Sequence, residues 1–204
     1  MRIGIFGGSF NPPHNAHLQL CEFAKKTAFL DKIILIPTGD NPFKMTDETV
    51  RREHRLQMTK LAFANREGYE VSDIEIRRKG QSYTIDTVKQ IQAKTNDELF
   101  FISGSDILFQ LPQWKDFDLL SKRITFICAA RRQINNTLLL EQAEVLQQTF
   151  GAAVILLEEF QPDEISSSVI REMVREHSPI GNLVPQDIDQ YISDNHLYQA
   201  GNTL

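Results

Sequence analysis

Cysteine, tryptophan and net positive charge are all scarce in this chain of 204 residues. Its two cysteines, Cys21 and Cys128, each sit in an apolar run and form no C-x-x-C pair. That spacing leaves no disulfide framework and reads as two buried thiols in a reducing compartment. Basic residues are outnumbered, 22 Lys and Arg against 27 Asp and Glu, for a net charge of -5. An acidic balance argues against the basic face of a non-specific nucleic-acid binder, so no nucleic-acid polymer is expected as a partner. It does not exclude a small anion, because one pocket can be positive on an acidic protein. No apolar run approaches the roughly 18 residues of a membrane span, so no membrane partner is expected. The opening "MRIGIFGGSF" lacks the apolar core and small-residue cleavage site of a secretory leader, and a cytoplasmic location is expected.

What is present is an ordinary globular composition, 41% hydrophobic and 24% charged. The length suits one domain with a real core, spanning 1–204 with a helical C-terminal part over about 166–200. Apolar runs that read as strands (2–6, 32–37, 69–76, 98–104, 124–130 and 152–157) alternate with amphipathic stretches. The amphipathic stretches predict helices over 17–29, 50–65, 84–94 and 136–150, with closing helices over 168–177 and 185–198. Alternating strands and helices imply βα units. The expected fold is therefore α/β, a Rossmann-like parallel sheet with helices on both faces and closing C-terminal helices. The segment 177–185 is the one candidate boundary and reads better as a connection within one domain.

The stretch "GGSFNPPHNAHL", Gly7 to Leu18, follows the first strand and precedes the first helix. In open α/β sheets that place, at the carboxyl end of a strand, is where ligands bind. Glycines let a backbone approach a ligand closely, and peptide N–H groups with a helix N-terminus suit phosphate. The spacing matches neither a Walker A loop nor G-x-G-x-x-G. What it contains is a His-x-x-His, His14 and His17. Three roles fit: metal ligands, although the Glu of a zincin helix is missing; structural or surface histidines; or paired donors to phosphate oxygens that stabilise charge on a pentavalent phosphorus.

"GGSFNPPHNAH" resembles the G-x-F-x-P-x-H-x-G-H signature of the HxGH nucleotidyltransferase superfamily, and "ISSSVIR" (165–171) resembles its I-S-S-T/S-x-I-R motif. A serine-rich loop opening a helix, with Arg171 as a fixed cation, suits the β- and γ-phosphates of ATP. "GQSYTIDTV" (80–88), "FISGSDILFQLPQW" (101–114) and "LVPQDIDQYISDNHLY" (183–198) are similar to segments of the bacterial nicotinate-nucleotide adenylyltransferases. The resemblance thus covers nearly the whole chain. It implies an ATP site of Gly7, Gly8, Ser9, Phe10, His17, Gly104, Asp106, Ile165, Ser166, Ser167, Ser168 and Arg171. It implies a pyridine-nucleotide site of Lys44, Ser82, Tyr83, Thr84 and Trp114. Backbone N–H groups of 82–84 would receive the pyridine carboxylate, with Thr84 as helix cap. Asp106 would accept ribose hydroxyls, and Trp114 would stack on the ring; the plain structural alternative for Asp106, compatible with that role, is the cap of the next short helix.

The implied reaction is adenylyl transfer from ATP to nicotinate mononucleotide, with His14, His17, Lys44 and Arg171 as the catalytic set. Mg²⁺ would be carried by the ATP phosphates, so no protein metal ligands are expected. Four departures stand out: Asn11 for the usual Asp, Ala16 for the Gly of HxGH, Phe43 for a His, and "AARRQ" (129–133) for A-R-P-G. The rival readings are a sibling transferase acting on nicotinamide mononucleotide, phosphopantetheine or glycerol phosphate, and a nucleotide-binding regulator without catalysis. Assembly into a homo-oligomer stays open on the sequence.

Overall fold

A computed structural model describes residues 1–39, 50–130, 135–161, 163 and 165–199. Its centre is a six-stranded sheet of β1 (Arg2–Gly8), β2 (Lys32–Pro37), β3 (Tyr69–Val71), β4 (Glu98–Gly104), β5 (Thr125–Ala129) and β6 (Ala153–Leu157). Every pairing is parallel, and the spatial order is β3-β2-β1-β4-β5-β6. This is the doubly wound α/β arrangement that the alternating pattern implies.

Side chains alternate between the sheet's two faces, and both faces are covered. Phe6, Ile33, Leu35, Phe100 and Ile102 pack on one side with α1 (Asn15–Thr27), α2 (Arg52–Ala62), α7 (Ser167–Arg175) and α8 (Gln186–Asp194). Ile3, Ile5, Ile34, Ile36 and Phe101 pack on the other with α3 (Thr84–Gln92), α4 (Ser105–Leu108), α5 (Phe117–Leu120) and α6 (Asn136–Phe150). Strands buried on both faces must be apolar throughout, which is why the runs are continuous. Cys21 and Cys128 are both buried and unbridged.

The third strand is shorter than its apolar run predicts. It ends at Val71, where Ser72 Oγ accepts the Ile74 N–H at 3.4 Å and the Asp73 carbonyl accepts the Arg77 N–H at 3.0 Å. These side-chain and turn bonds compete with a ladder that β3 could form only with β2. Two short helices, α4 and α5, and a 3-10 turn at Leu111–Gln113 occupy the connection from β4 to β5.

The crevice forms where the strand order reverses. β1 pairs with β2 as far as Gly8 and Pro37, but with β4 only as far as Ile5 and Phe101. Beyond that point β1 and β4 diverge, and their last residues face an opening rather than each other.

Candidate active site

A cavity of about 650 Å³ fills that opening, a volume suited to a small ligand. Its walls include Gly7, Gly8 and Ser9 after β1, Ser103 and Gly104 at the end of β4, and Ala129 at the end of β5. Gly104, with φ and ψ of -80° and 162°, takes the capping position of α4. Asp106 therefore lies inside α4 and lines the cavity, so its alternative reading as a helix cap does not hold.

His14 and His17 meet at the start of α1. The helix begins at Asn15, two residues earlier than expected, with His14 as its capping residue. The backbone N–H of His14 donates to His17 Nδ1 at 3.1 Å. An Nδ1 that accepts a hydrogen bond carries no proton, so His17 holds its proton on Nε2. The two imidazoles lie face to face, 3.7 Å between centroids and 31° apart in plane. Phe6 and Phe10 flank His17 at 5.8 Å and 5.2 Å. Both histidines and Ala16, which replaces the glycine of the family pattern, line the cavity. Phe10, at 1% exposed, is not at the wall. With φ at 48° it turns back into the core against Phe6.

The first turn of α7 forms the adjoining wall through Ile165, Ser166, Ser167 and Ser168. Ser166 caps the helix by accepting from the Val169 N–H at 3.3 Å. Arg171 does not reach the wall. Its guanidinium donates to the Asn11 carbonyl at 2.8 Å and to Ser168 Oγ at 3.4 Å, behind the loop. Ser167 Oγ donates to the Pro12 carbonyl at 2.8 Å, and the Tyr198 hydroxyl donates to Asn11 Oδ1 at 2.7 Å. Burial pushes the Tyr198 hydroxyl well above its ordinary pKa, so it stays a donor. The Asn15 N–H and side-chain amide donate to the carbonyls of Leu183 and Asn182, at 2.9 Å and 3.1 Å. The segment 177–185 thus grips the start of α1.

Sequence reasoning passed over Arg55. It lies on α2, is 2% exposed, and donates to the Ser9 carbonyl at 2.9 Å and the Thr38 carbonyl at 2.8 Å. A buried cation therefore ties the loop after β1 to the end of β2. Nothing in its helical context, "REHRLQM", separates it from a solvated arginine.

The opposite wall carries Ser82, Tyr83, Thr84 and Trp114. Tyr83, in extended conformation, is the capping residue of α3, and Thr84 is its first helical residue, which corrects the expectation of Thr84 as cap. Trp114 ends the 3-10 turn and stands edge-on to Phe101 at 5.3 Å and 89°. Lys115 Nζ sits 4.3 Å above the Tyr83 ring and 3.6 Å from Asp86 Oδ2. Glu75, also missed, lines this wall and is 8% exposed. Its carboxyl accepts from Thr87 Oγ1 at 2.7 Å and from the Gly39 N–H at 3.4 Å, and burial holds its pKa above the ordinary value. Phe160 and Asp163 complete a further stretch of wall that no motif marks. Lys44, Phe43, Arg131 and Arg132 lie outside the described residues.

The chain matches the cytidylyltransferase-like family over residues 5–173. It is 38% identical over 200 residues to "Probable nicotinate-nucleotide adenylyltransferase" of Carboxydothermus hydrogenoformans, covering 97% of this chain and 98% of the relative. It is 34% identical over 200 residues to the nicotinate-nucleotide adenylyltransferase of Bacillus subtilis, covering 98% and 99%. The chain belongs to this family. Its fold is also that of the Plasmodium falciparum nicotinic acid mononucleotide adenylyltransferase complexed with NaAD, at a TM-score of 0.75 and 22% identity over 97% of both chains. As a family member it is a nucleotidyltransferase, and the resemblance drawn from its motifs holds over its length. No helix among the described residues is long and apolar enough to cross a membrane. Among those residues no group of three or more His, Cys, Asp or Glu could hold a metal ion.

Proposed function

We propose that the protein transfers the adenylyl group of ATP to nicotinate mononucleotide, giving nicotinate adenine dinucleotide and pyrophosphate, a step of NAD biosynthesis. One observation carries this reading. A single cavity at the strand-order reversal has paired imidazoles and a serine-rich helix start on one wall, and Tyr83 with Trp114 on the other.

The nucleophile is the acceptor's own phosphate, already ionised at neutral pH. It attacks the α-phosphorus, and the bond from that phosphorus to the bridging oxygen of pyrophosphate breaks. The protein needs no general base; it aligns the two nucleotides and stabilises charge. His17 suits this role because its Nδ1 is engaged by the His14 N–H, which leaves Nε2–H as a fixed donor. His14 packs on that ring and supports its orientation. The backbone at Gly7, Gly8 and Ser9, with the α7 start at Ser166–Ser168, receives triphosphate oxygens. Arg171 acts through the loop it braces, and Lys44 neutralises the leaving group. Asp106 accepts ribose hydroxyls. Ser82, Tyr83, Thr84 and Trp114 hold the pyridine ring and its carboxylate.

Mg²⁺ enters as part of the nucleotide substrate, held by phosphate oxygens, a role its preference for oxygen ligands supports. The chain works as one unit over 1–204, because α7 and the segment after it brace the first loop. It acts in the cytoplasm, where both nucleotides are supplied. The test is Mg²⁺-dependent pyrophosphate release from ATP with nicotinate mononucleotide, nicotinamide mononucleotide and phosphopantetheine in parallel. Release with the first acceptor at the highest kcat/KM is expected. A higher value with either other acceptor reassigns the substrate, and no release with any acceptor refutes the transferase reading.

A further inference from the structure

Glu75 has no cation bonded to it among the described residues. Its Oε1 accepts from Thr87 and its Oε2 accepts a long bond, 3.4 Å, from the Gly39 N–H. Arg78 approaches only through Thr87 Oγ1, to which it donates at 3.0 Å, while its other nitrogen is engaged by Gln90 at 2.6 Å. Lys115, on the far side of Tyr83, is shared with Asp86, and Asp106 lies on α4 as a second negative group at the cavity. At bonding distance the carboxyl is thus held by neutral donors, with Arg78 acting on it only through space, at a wall where burial outweighs these and disfavours its charge.

The surroundings are built around it. A Cβ at Gly39 would come within 2.5 Å of the Glu75 carbonyl oxygen and 2.7 Å of Ser82 Oγ, so only glycine fits there. Ser82 Oγ is buried at the cavity wall with no hydrogen-bond partner among the described residues. A buried hydroxyl left in this state has bonding capacity for a ligand. Thr87, the last residue of the "SYTIDT" stretch, has its one O–H directed to Glu75. That bond gives the threonine a task separate from helix capping.

The geometry points to Glu75 as a specificity-determining residue: its carboxylate, on the cavity that Tyr83 and Trp114 also line, selects an acceptor whose ring is an N-substituted pyridinium cation over one with a neutral ring. This rests on the adenylyl-transfer reading above. A positive ring pairs with a carboxylate that, among the described residues, has no cation at bonding distance, in a low-dielectric place where the attraction is strong. Aromatic faces favour the same cation. Ser82 Oγ and the start of α3 then meet the ring's anionic substituent, so the two charges of the acceptor are read by two separate groups.

The test compares nicotinate mononucleotide with its 1,4-dihydro form, which keeps the shape and substituents but has an uncharged ring. Binding by calorimetry and KM under saturating ATP are measured for the wild type, Glu75→Gln and Glu75→Asp. The wild type is expected to prefer the pyridinium form by about tenfold or more. Glu75→Gln should bring that ratio near one by weakening pyridinium binding, with the KM for ATP and kcat within about twofold. Glu75→Asp should keep most of the preference. A ratio unchanged in Glu75→Gln, or a wild type blind to ring charge, overturns the inference. If Glu75→Gln does not fold, as judged by thermal melting, the wild-type ratio and its retention in Glu75→Asp decide. A wild type that is active with nicotinate mononucleotide but blind to ring charge refutes this inference alone. One that releases no pyrophosphate with that acceptor refutes the functional reading with it.

Discussion

The two walls of the cavity are assembled in different ways. The wall at α1 and α7 combines loop backbone, a helix start and two stacked imidazoles, and is held from behind by groups that come from distant parts of the chain. Arg171, Ser167 and Tyr198 all reach the loop carrying Asn11 and Pro12, and Arg55 reaches Ser9 from α2. The wall at α3 is a side-chain surface made from one stretch of sequence, Glu75 to Lys115. A triphosphate needs many donors in fixed places, which a braced backbone and a helix start provide without flexible side chains. A ring with a substituent needs shape, aromatic contact and a few placed charges, which local side chains provide. One wall should therefore fail by losing rate or fold, and the other by losing preference.

Substitutions can break that contrast or sharpen it. The largest effect is expected from His17→Ala, which removes the Nε2–H donor proposed to face the reacting phosphorus. Turnover should fall about 10³-fold while ATP still binds, as read by pyrophosphate release and nucleotide titration. Next is Arg55→Met. Two part-buried carbonyls lose this buried donor, and stability should drop by about 3 kcal/mol in urea unfolding. Trp114→Ala, on the other wall, should raise the KM for the acceptor about tenfold with that for ATP unchanged. Tyr198→Phe deletes the hydroxyl that reaches Asn11 and should cost about 1 kcal/mol of stability, with a matching modest fall in turnover. An equal rise of both KM values in the Trp114 variant would erase the distinction between the walls.

The smallest effect is a slope with pH. Burial holds the Glu75 carboxyl above its ordinary value of 4.5. The folded chain thus binds that proton more tightly than the unfolded chain. The resulting stabilisation is full below pH 4.5 and is lost as pH rises through the folded value. Glu75→Gln cannot titrate, so its stability relative to the wild type should climb from there toward neutrality in pH-dependent melting. A flat difference would mean that Glu75 titrates alike in both states.

Much of the first wall was legible because its residues are chemically unusual where they stand. His14, His17 and the triple serine are poor strand or helix-interior material, so their presence called for a reason. The sheet was legible too, since strands covered on both faces must be apolar without a break. Arg55, Glu75 and Tyr198 were not, because their own neighbours make each look ordinary. An arginine on a charged helix, a glutamate after a strand and a tyrosine in a closing segment declare themselves only when distant backbone arrives beside them. The end of β3 at Val71 was hidden likewise, since Ile74 and Ile76 continue an apolar alternation that the Ser72 and Asp73 turn interrupts. The roles of Phe10 and Arg171 depended on side-chain direction, which periodicity does not carry.

The bond from Tyr198 to Asn11 spans 187 positions of the chain. The loop that follows β1 thus takes one of its braces from a segment far along the chain. A chain cut short before residue 198 would carry every motif at the cavity and still hold that loop less firmly. Order in that loop is therefore a property of the assembled fold and not of the segment that carries the motif.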